Sequence, residues 1–186
     1  AVSCRSAAGA PEKIRLMTTR PLNPARPLNL VRPLNLDDCL AVADLETQLF
    51  AGRFTAQSLR DMLNKPAFYG AVLPAVGQAV GQAAAIHAYY LSTISADCAD
   101  IIAIGTHRDW QRRGFGRIML EHLIGVTERQ HVEKILLEVA ADNMPARQLY
   151  DSCGFVEIGC RKNYYKRGET RCDAVIMARL RGSAFS

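Results

Sequence analysis

The spacing of apolar positions divides most of the chain into short helices and strands. Apolar residues recur at helical intervals in segments 40–50 and 55–63, which predicts two amphipathic helices. Segments 68–76 and 78–91 have the composition of strands, and the residues Val76-Gly77-Gln78 favour a tight turn between them. We therefore predict antiparallel pairing in the first half of the fold.

Strands and helices alternate in the second half of the chain. Segments 100–106 and 134–139 are almost wholly apolar, as strands buried on both faces are. Helices are predicted at 115–129 and 145–153, and further strands at 155–165 and 172–180. This alternation favours parallel pairing. With a first strand at 30–34, the pattern predicts a mixed α/β fold whose central sheet of about seven strands is flanked by helices on both faces.

The beginning of the chain follows neither pattern. The sequence Arg-Pro-Leu-Asn occurs at 20–23, 26–29 and 32–35, and each proline removes a backbone hydrogen-bond donor. Only the last copy leads into a helix-start signal, Asp37-Asp38. We expect residues 1–28 to be an extended tail and residues 29–183 to form the folded domain.

Composition and charge exclude several classes of protein. Of the net charge of +5 over 186 residues, residues 1–36 supply six basic and one acidic side chain, so the rest is neutral and is not a nucleic-acid-coating surface. No apolar stretch reaches the roughly 18 residues of a membrane span, and the first ten residues lack the apolar run of a signal peptide. Neither the six cysteines nor the four histidines show the spacing of metal ligands. We expect a cytoplasmic protein with reduced thiols and no bound metal.

The segment between the strand at 100–106 and the helix at 115–129 carries the first candidate chemistry. It reads Gln-Arg-Arg-Gly-Phe-Gly, so Gly114 and Gly116 stand at the start of the helix beside Arg112, Arg113 and Arg117. Glycines let a ligand approach the backbone, and free amides at a helix start favour a phosphate group. The spacing matches neither the P-loop nor the dinucleotide fingerprint. The alternative interpretation is a tight turn with solvated arginines.

The second candidate is the segment from Glu138 to Tyr150. Glu138 interrupts an apolar strand, where a buried carboxylate costs free energy unless it pairs with a cation, contacts solvent or has a function. Tyr150 lies on the following helix, and Asn143 stands just before that helix. The alternative interpretations are a solvent-facing glutamate, a core tyrosine and a helix cap.

Together these segments resemble the GNAT superfamily of N-acetyltransferases over roughly residues 30–180. The loop QRRGFG resembles the acetyl-CoA loop of that superfamily. The segment LEVAADNMPARQLYDSCGF, with the later NYY and DAVIM, is similar to the ribosomal-protein-alanine N-acetyltransferases, the RimI type. The resemblance implies the GNAT fold, acetyl-CoA as cosubstrate and a protein N-terminus as acceptor, with the N-terminal alanine of a small-subunit ribosomal protein as the expected one.

The resemblance also implies roles for individual residues. Glu138 matches the general base and Tyr150 the general acid, while Tyr164 and Tyr165 match residues that border the acceptor groove. The residues implied in binding acetyl-CoA are Ile104, Gly105, Thr106, Arg112, Arg113, Gly114, Phe115, Gly116, Arg117 and Asn143. Because direct attack needs no covalent intermediate, Cys153 is interpreted as a packing residue. His107 is an alternative base, although a solvated turn histidine is the simpler interpretation.

Other functions stay open from the sequence. Segment 50–54 departs from the pattern of the subfamily, which leaves room for a small-molecule amine or a lysine side chain as acceptor. The basic segment 161–167, with its paired tyrosines, is compatible with an RNA-binding or ribosome-binding module. We expect no specific nucleic-acid recognition and no membrane partner.

Overall fold

Seven strands and four helices follow one another in the part of the chain that the computed structural model describes, residues 30–50, 52–75 and 85–183. The predicted tail, residues 1–28, and the predicted turn Val76-Gly77-Gln78 lie outside the described residues. In chain order the elements are β1 (Arg32–Pro33), α1 (Cys39–Phe50), α2 (Ala56–Leu63), β2 (Phe68–Pro74), β3 (Ile86–Ser95), β4 (Cys98–Thr106), α3 (Phe115–Arg129), β5 (Lys134–Ala140), α4 (Met144–Ser152), β6 (Val156–Arg167) and β7 (Thr170–Leu180).

The strands form one mixed sheet, as predicted, in the order β1-β2-β3-β4-β5-β7-β6. The first four strands are antiparallel neighbours, as expected for the first half. Between described residues, parallel pairing is confined to β4 and β5. The parallel pairing predicted for the second half is therefore confirmed for β4 and β5, and it is wrong for β6, which pairs antiparallel with β7 instead. The connection through α4 carries β6 to the edge of the sheet, and β7 then returns as a hairpin partner between β6 and β5.

Helices cover both faces of the sheet, which confirms the predicted layers. On one face, α3 and α4 bury residues such as Met119 and Tyr150 against alternate strand positions, including Tyr90 of β3. On the other face, α1 and α2 bury Leu45 and Leu59 against the intervening positions, including Tyr89. Because strand side chains alternate between faces, one set of strands supplies two separate cores.

The predicted bounds hold for some elements and shift for others. Helix α3 has the predicted limits, whereas β3 begins at Ile86 and ends at Ser95, later than the predicted segment 78–91. Strand β1 is only two residues long, shorter than the predicted 30–34, because Asn35 already caps the next turn. Among the helices of the described ranges, none is long and apolar enough to cross a bilayer.

A capped turn, Leu36–Asp38, starts α1 at the predicted signal Asp37-Asp38. The Asn35 side chain accepts a hydrogen bond from the Asp38 N–H at 3.1 Å, and the Asp38 carboxylate accepts one from the Asn35 N–H at 3.0 Å. Both terminal nitrogens of Arg32 donate to the same buried carboxylate, at 2.6 and 2.8 Å. Asp38 therefore joins β1 to the beginning of α1.

We expect the substitution Asp38→Ala to lower the free energy of unfolding by about 2 to 4 kcal/mol, because it removes a cap acceptor and leaves Arg32 without its carboxylate. Asp37→Ala is the matched control, since Asp37 is exposed in the same turn; its effect should stay within about 0.5 kcal/mol. Urea denaturation followed by circular dichroism measures both values. Equal effects of the two substitutions would contradict the structural role of Asp38.

Candidate active site

A gap opens in the middle of the sheet where β4 and β5 part. The two strands pair in parallel only from Cys98 opposite Lys134 to Ile101 opposite Leu137. Opposite β3, strand β4 carries one extra residue at Ile102, and such a bulge bends a strand. Beyond this point β4 stays paired with β3, and β5 stays paired with β7. The facing edges of β4 and β5 therefore no longer pair with each other, which leaves backbone groups available to a ligand.

Two cavities meet at this gap. The larger one, about 690 Å³, extends from β4 and β5 to α4, and the smaller one, about 630 Å³, lies between β4, β5 and β6. Both volumes are typical of small-molecule sites. The residues that line both cavities are Arg53, Ile101, Ile102, Leu137, Glu138 and Tyr165.

Glu138 lies beside the gap between β4 and β5, and its side chain points to one face of the sheet. Its neighbours Leu137 and Val139 belong to the core under α3 and α4, so the Glu138 side chain points to the face of α1 and α2. Tyr150 approaches the larger cavity from the α4 side. The larger cavity therefore reaches through the gap in the sheet, from Tyr150 on one face to Glu138 on the other.

The Glu138 carboxylate has close polar neighbours on β6. Arg161 Nε lies 3.0 Å from its Oε1 atom. The Tyr164 phenol lines the smaller cavity beside this carboxylate, and its interaction with Glu138 raises the pKa of Tyr164. The Tyr165 hydroxyl donates to the backbone carbonyl of Glu138 at 3.3 Å. Since 27% of the Glu138 side chain is exposed and it borders both cavities, its position is that of a reachable carboxylate rather than a solvent-facing strand end.

The loop before α3 has the geometry of an anion site. Gly114 is the N-cap of the fifteen-residue helix α3 and has φ 88°, a left-handed conformation that favours glycine. The first amides of α3 have no partner within the helix, and the helix dipole places positive charge there. Gly116 lines the larger cavity, so this helix start adjoins it.

The three predicted arginines of this loop have different surroundings. Arg112 is exposed, and Arg113 lies 4.7 Å from the centroid of the Trp110 ring. Arg117 is held by Glu121 at 2.9 Å and by the Ser152 hydroxyl at 2.9 Å, so it braces α3 against the end of α4. A phosphate contact by Arg117 would require it to leave these partners.

Strand β4 is supported from behind by a buried pair. The Tyr89 ring lies so close to Gly105 that a Cβ atom on Gly105 would stand 2.5 Å from ring atom Cε1. The Tyr89 hydroxyl donates to the carboxylate of Glu46, which is fully buried on α1. Burial raises the pKa values of both Glu46 and Tyr89. Gly105 is thus required by packing behind the strand, while Ile104 and Thr106 line the larger cavity.

Helix α4 and the residues that cap its two ends include three residues that the sequence analysis named. Tyr150 is 5% exposed and lines the larger cavity, and burial raises its pKa. Asn143 lines the same cavity and also caps α4, since its Oδ1 atom accepts a hydrogen bond from the Ala146 N–H at 3.3 Å. Cys153 is fully buried, and burial raises the pKa of its thiol, which supports its interpretation as a packing residue.

The remaining predictions concern His107, Phe115, metal binding and the predicted residues that lie outside the two cavities. His107 caps a short turn, where its Nδ1 atom accepts a hydrogen bond from the Asp109 N–H at 3.3 Å, which agrees with a turn histidine. The Phe115 ring packs against Trp110 and His87. Across the described ranges, no group of three or more His, Cys, Asp or Glu side chains is arranged to hold a metal ion. The predicted residues that line neither cavity are Gly105, Arg112, Arg113, Gly114, Phe115 and Arg117.

Two arginines of the site were not predicted as site residues. Arg53 lines both cavities, and its Nη2 atom donates to the carbonyl of Ile102, at the bulge of β4, over 2.7 Å. Arg161 pairs with Glu138. In the sequence, the only signals were the divergent segment 50–54 and the basic segment 161–167, and neither indicates a specific contact.

We expect Gly105→Ala to lower the free energy of unfolding by about 1 to 3 kcal/mol, because the new methyl group would overlap the Tyr89 ring. Gly159→Ala is the control, since a Cβ atom there would meet Ile176 at an ordinary 3.6 Å. Thermal and urea denaturation of the two variants measure the difference. If Gly105→Ala is as stable as Gly159→Ala, the close packing of Tyr89 behind β4 is not a constraint.

Comparison with known proteins identifies relatives for this arrangement. The ribosomal protein bS18-alanine N-acetyltransferase of Escherichia coli (strain K12) is 43% identical over 91 residues, which span 49% of this chain and 62% of that protein. The corresponding enzyme of Haemophilus influenzae is 40% identical over 83 residues, 44% of this chain and 56% of that protein. The matches thus span less than two thirds of the length of these curated relatives.

Solved structures extend the likeness to most of the domain. The crystal structure of the ribosomal-protein-S18-alanine N-acetyltransferase from Escherichia coli has a TM-score of 0.70 and 31% identity, covering 81% of this chain and 92% of that chain. Arabidopsis thaliana NAA60 in complex with acetyl-CoA has a TM-score of 0.71 at 15% identity, covering 81% and 97% of the two chains, which shows a shared fold. A model of the acetyltransferase (GNAT) family matches residues 39–155, more than half of the chain. The family resemblance seen in the sequence is therefore confirmed, and this chain belongs to the acetyltransferase (GNAT) family.

Proposed function

We propose that the protein is an acetyl-CoA-dependent N-acetyltransferase that acetylates the N-terminal α-amine of a protein. One observation carries this proposal: two cavities meet at Glu138, where β4 and β5 part. A direct transfer needs two substrates whose reacting atoms reach one point from separate binding sites. Acetyl-CoA would occupy the larger cavity and the acceptor the smaller one. Membership in the GNAT family supports the reaction class.

The residues of the larger cavity suit acetyl-CoA. The start of α3, with the exposed cation of Arg112 nearby, favours the pyrophosphate. The edge of β4 after Ile102 does not pair with β5, and the Thr106 carbonyl accepts a hydrogen bond from Gln111 Nε2 at 3.1 Å. The amides of the pantetheine arm would therefore pair with the backbone around Ile104. Acetyl-CoA supplies a thioester carbonyl, and a backbone N–H near Gly105 would polarise it as an oxyanion hole does.

Glu138 would act as the general base. An α-ammonium group has a pKa of about 8, against about 10.4 for lysine, so a single carboxylate gives sufficient help in removing its proton. The Arg161 guanidinium, 3.0 Å from Glu138, stands where the amine of an acceptor would approach. The arriving amine therefore competes with Arg161 for the same carboxylate.

Tyr150 would act as the general acid. Because burial raises its pKa, the phenol is protonated at neutral pH and has a proton to give. The same desolvation raises the proton affinity of a thiolate in this cavity. Before the attack, the acceptor's ammonium group loses one proton through Glu138 to solvent. In the transfer itself, the neutral amine nitrogen bonds to the acetyl carbon, the carbon–sulfur bond breaks, a second proton passes from nitrogen to Glu138, and one proton passes from Tyr150 to the sulfur. Tyr150 then regains a proton from solvent, and Glu138 releases one.

The acceptor we favour is the N-terminal alanine of a small-subunit ribosomal protein. The support is the 43% identity with a protein named for acetylating the alanine of ribosomal protein bS18. The match to that relative covers only part of its length, and Arg53 and Phe54, which border the smaller cavity, lie in the divergent segment 50–54. The choice of acceptor is therefore tested apart from the chemistry.

We expect Glu138→Gln and Tyr150→Phe each to lower kcat by about 10²-fold or more, since each removes a proton-transfer group. Matched controls are Glu157→Gln, whose carboxylate pairs with Arg147 on the surface, and Tyr69→Phe, on β2. Release of coenzyme A thiol with an alanine-initiated peptide measures kcat. Wild-type rates in either site variant would refute the role given to that residue.

A panel of acceptors tests the substrate class. We expect faster turnover with an alanine-initiated bS18 peptide than with the same peptide blocked at its N-terminus, with Nα-acetyl-lysine or with spermidine. Faster reaction with spermidine or lysine would replace the proposed acceptor while keeping the reaction. Salt-sensitive RNA binding without any affinity for acetyl-CoA would instead indicate a binding module.

A further inference from the structure

Strand β6 carries a three-residue bulge next to the smaller cavity, the proposed acceptor site. Arg161 lies opposite Ala174 and Tyr165 lies opposite Cys172, so three residues of β6, 162 to 164, face the single residue Asp173 of β7. Within the bulge, Asn163 has φ 55°, a left-handed conformation that costs energy for most residues other than glycine. A bulge of this kind needs side chains that satisfy the backbone groups it removes from the ladder.

Two side chains of β7 satisfy the backbone of Asn163. The Asp173 Oδ1 atom accepts a hydrogen bond from the Asn163 N–H at 2.9 Å, and Arg171 Nη1 donates to the Asn163 carbonyl at 3.1 Å. The second carboxylate oxygen of Asp173 is 2.7 Å from Lys162 Nζ. Lys162 and the Asn163 N–H lower the pKa of Asp173, so it is ionised at neutral pH. Asp173 therefore stabilises the bulge through its hydrogen bond with the Asn163 N–H.

The bulge determines where the acceptor-side residues, Arg161, Tyr164 and Tyr165, lie. Arg161 pairs with the carboxylate of Glu138, Tyr165 donates to its backbone carbonyl, and all three residues line the smaller cavity beside it. Arg161 is also 5.4 Å from the centroid of the Tyr164 ring, and the rings of Tyr164 and Tyr165 meet edge to face. In a regular strand, consecutive side chains point to opposite faces, so Tyr164 and Tyr165 would not both face this cavity.

We propose that Asp173 is a positioning residue for the acceptor amine. Through the backbone of Asn163 it holds the bulge, and the bulge keeps the acceptor-side residues around Glu138. This inference rests on the proposed function, because it takes the smaller cavity as the acceptor site. Asp173 itself lines neither cavity, so its effect on catalysis is indirect.

The first test separates the hydrogen bond to the backbone from the ion pair with Lys162. We expect Asp173→Ala to raise KM for the alanine-initiated peptide about tenfold or more, with KM for acetyl-CoA unchanged, because only the acceptor side is displaced. Asp173→Asn keeps an oxygen that accepts from the Asn163 N–H and should recover most of the affinity. Lys162→Ala should match the wild type, since Lys162 is 79% exposed and exposed ion pairs contribute little.

A second pair of variants changes the backbone preference of Asn163 in the bulge and leaves Asp173 as it is. Asn163→Val should reproduce the rise in peptide KM, because a β-branched residue disfavours a positive φ, whereas Asn163→Gly should not. This pair gives the answer if Asp173→Ala does not fold. An unchanged peptide KM in folded Asp173→Ala, or in Asn163→Val where Asp173→Ala does not fold, would overturn the inference, and so would an equal loss of acetyl-CoA affinity.

A spectroscopic readout keeps the inference separate from the proposed function. In protein labelled with ¹³C at the tyrosine ring, the Tyr164 signal is assigned by its loss in Tyr164→Phe, and its pH titration reports the interaction with Glu138 that raises its pKa. We expect the pKa of Tyr164 to fall in Asp173→Ala and in Asn163→Val, and to stay unchanged in Lys162→Ala. If the wild type acetylates no peptide, the proposed function fails, while this titration still decides whether Asp173 holds the bulge. An unchanged Tyr164 titration in both bulge variants would refute it.

Discussion

The end of hydrogen bonding between β4 and β5, after Ile101 and Leu137, is the constraint on which the rest of the site depends. The bulge at Ile102 turns β4 aside, and each strand keeps a partner on its other edge, so the sheet stays intact while its centre opens. The Ile102 carbonyl accepts a hydrogen bond from Arg53, which satisfies one backbone group at the bulge. Because the gap passes through the sheet, the larger cavity, which extends to α4, and the smaller cavity meet at Glu138.

Two glutamates near the gap differ in whether a substrate could reach their carboxylates. Glu46 is fully buried, receives the Tyr89 hydroxyl and has a raised pKa, yet it lines neither cavity. Glu138 is partly exposed, lines both cavities and has an arginine within 3.0 Å. A perturbed pKa is often used to find active sites, but a base must also reach its substrate. Here the buried glutamate supports β4, and the accessible one is the residue to which the proposed function assigns the role of base.

The parts of this structure that the sequence predicts are those that depend on local pattern. The apolar stripe and the glycines before it define α3, and the acidic residue in an apolar strand points to Glu138. The insertion of β7 between β5 and β6 depends on pairing between distant strands, which a local pattern does not record. Arg53 and Arg161 were missed for the same reason, because each reaches its partner across a long stretch of sequence. The role of Asp173 also becomes visible only in the register of the β6–β7 hairpin.

On the proposed function, the choice between amines depends on their own basicity rather than on the charges around the smaller cavity. Arg53 and Arg161 border this cavity together with the carboxylates of Asp100 and Glu138, so its formal charges balance. A nearby arginine lowers the pKa of an amine, and a nearby carboxylate raises it, so the two effects oppose each other here. An α-amine has a pKa of about 8 and a lysine one of about 10.4, so the α-amine needs less help to become neutral. A single carboxylate at the meeting point of the two cavities is therefore better suited to an α-amine than to a lysine.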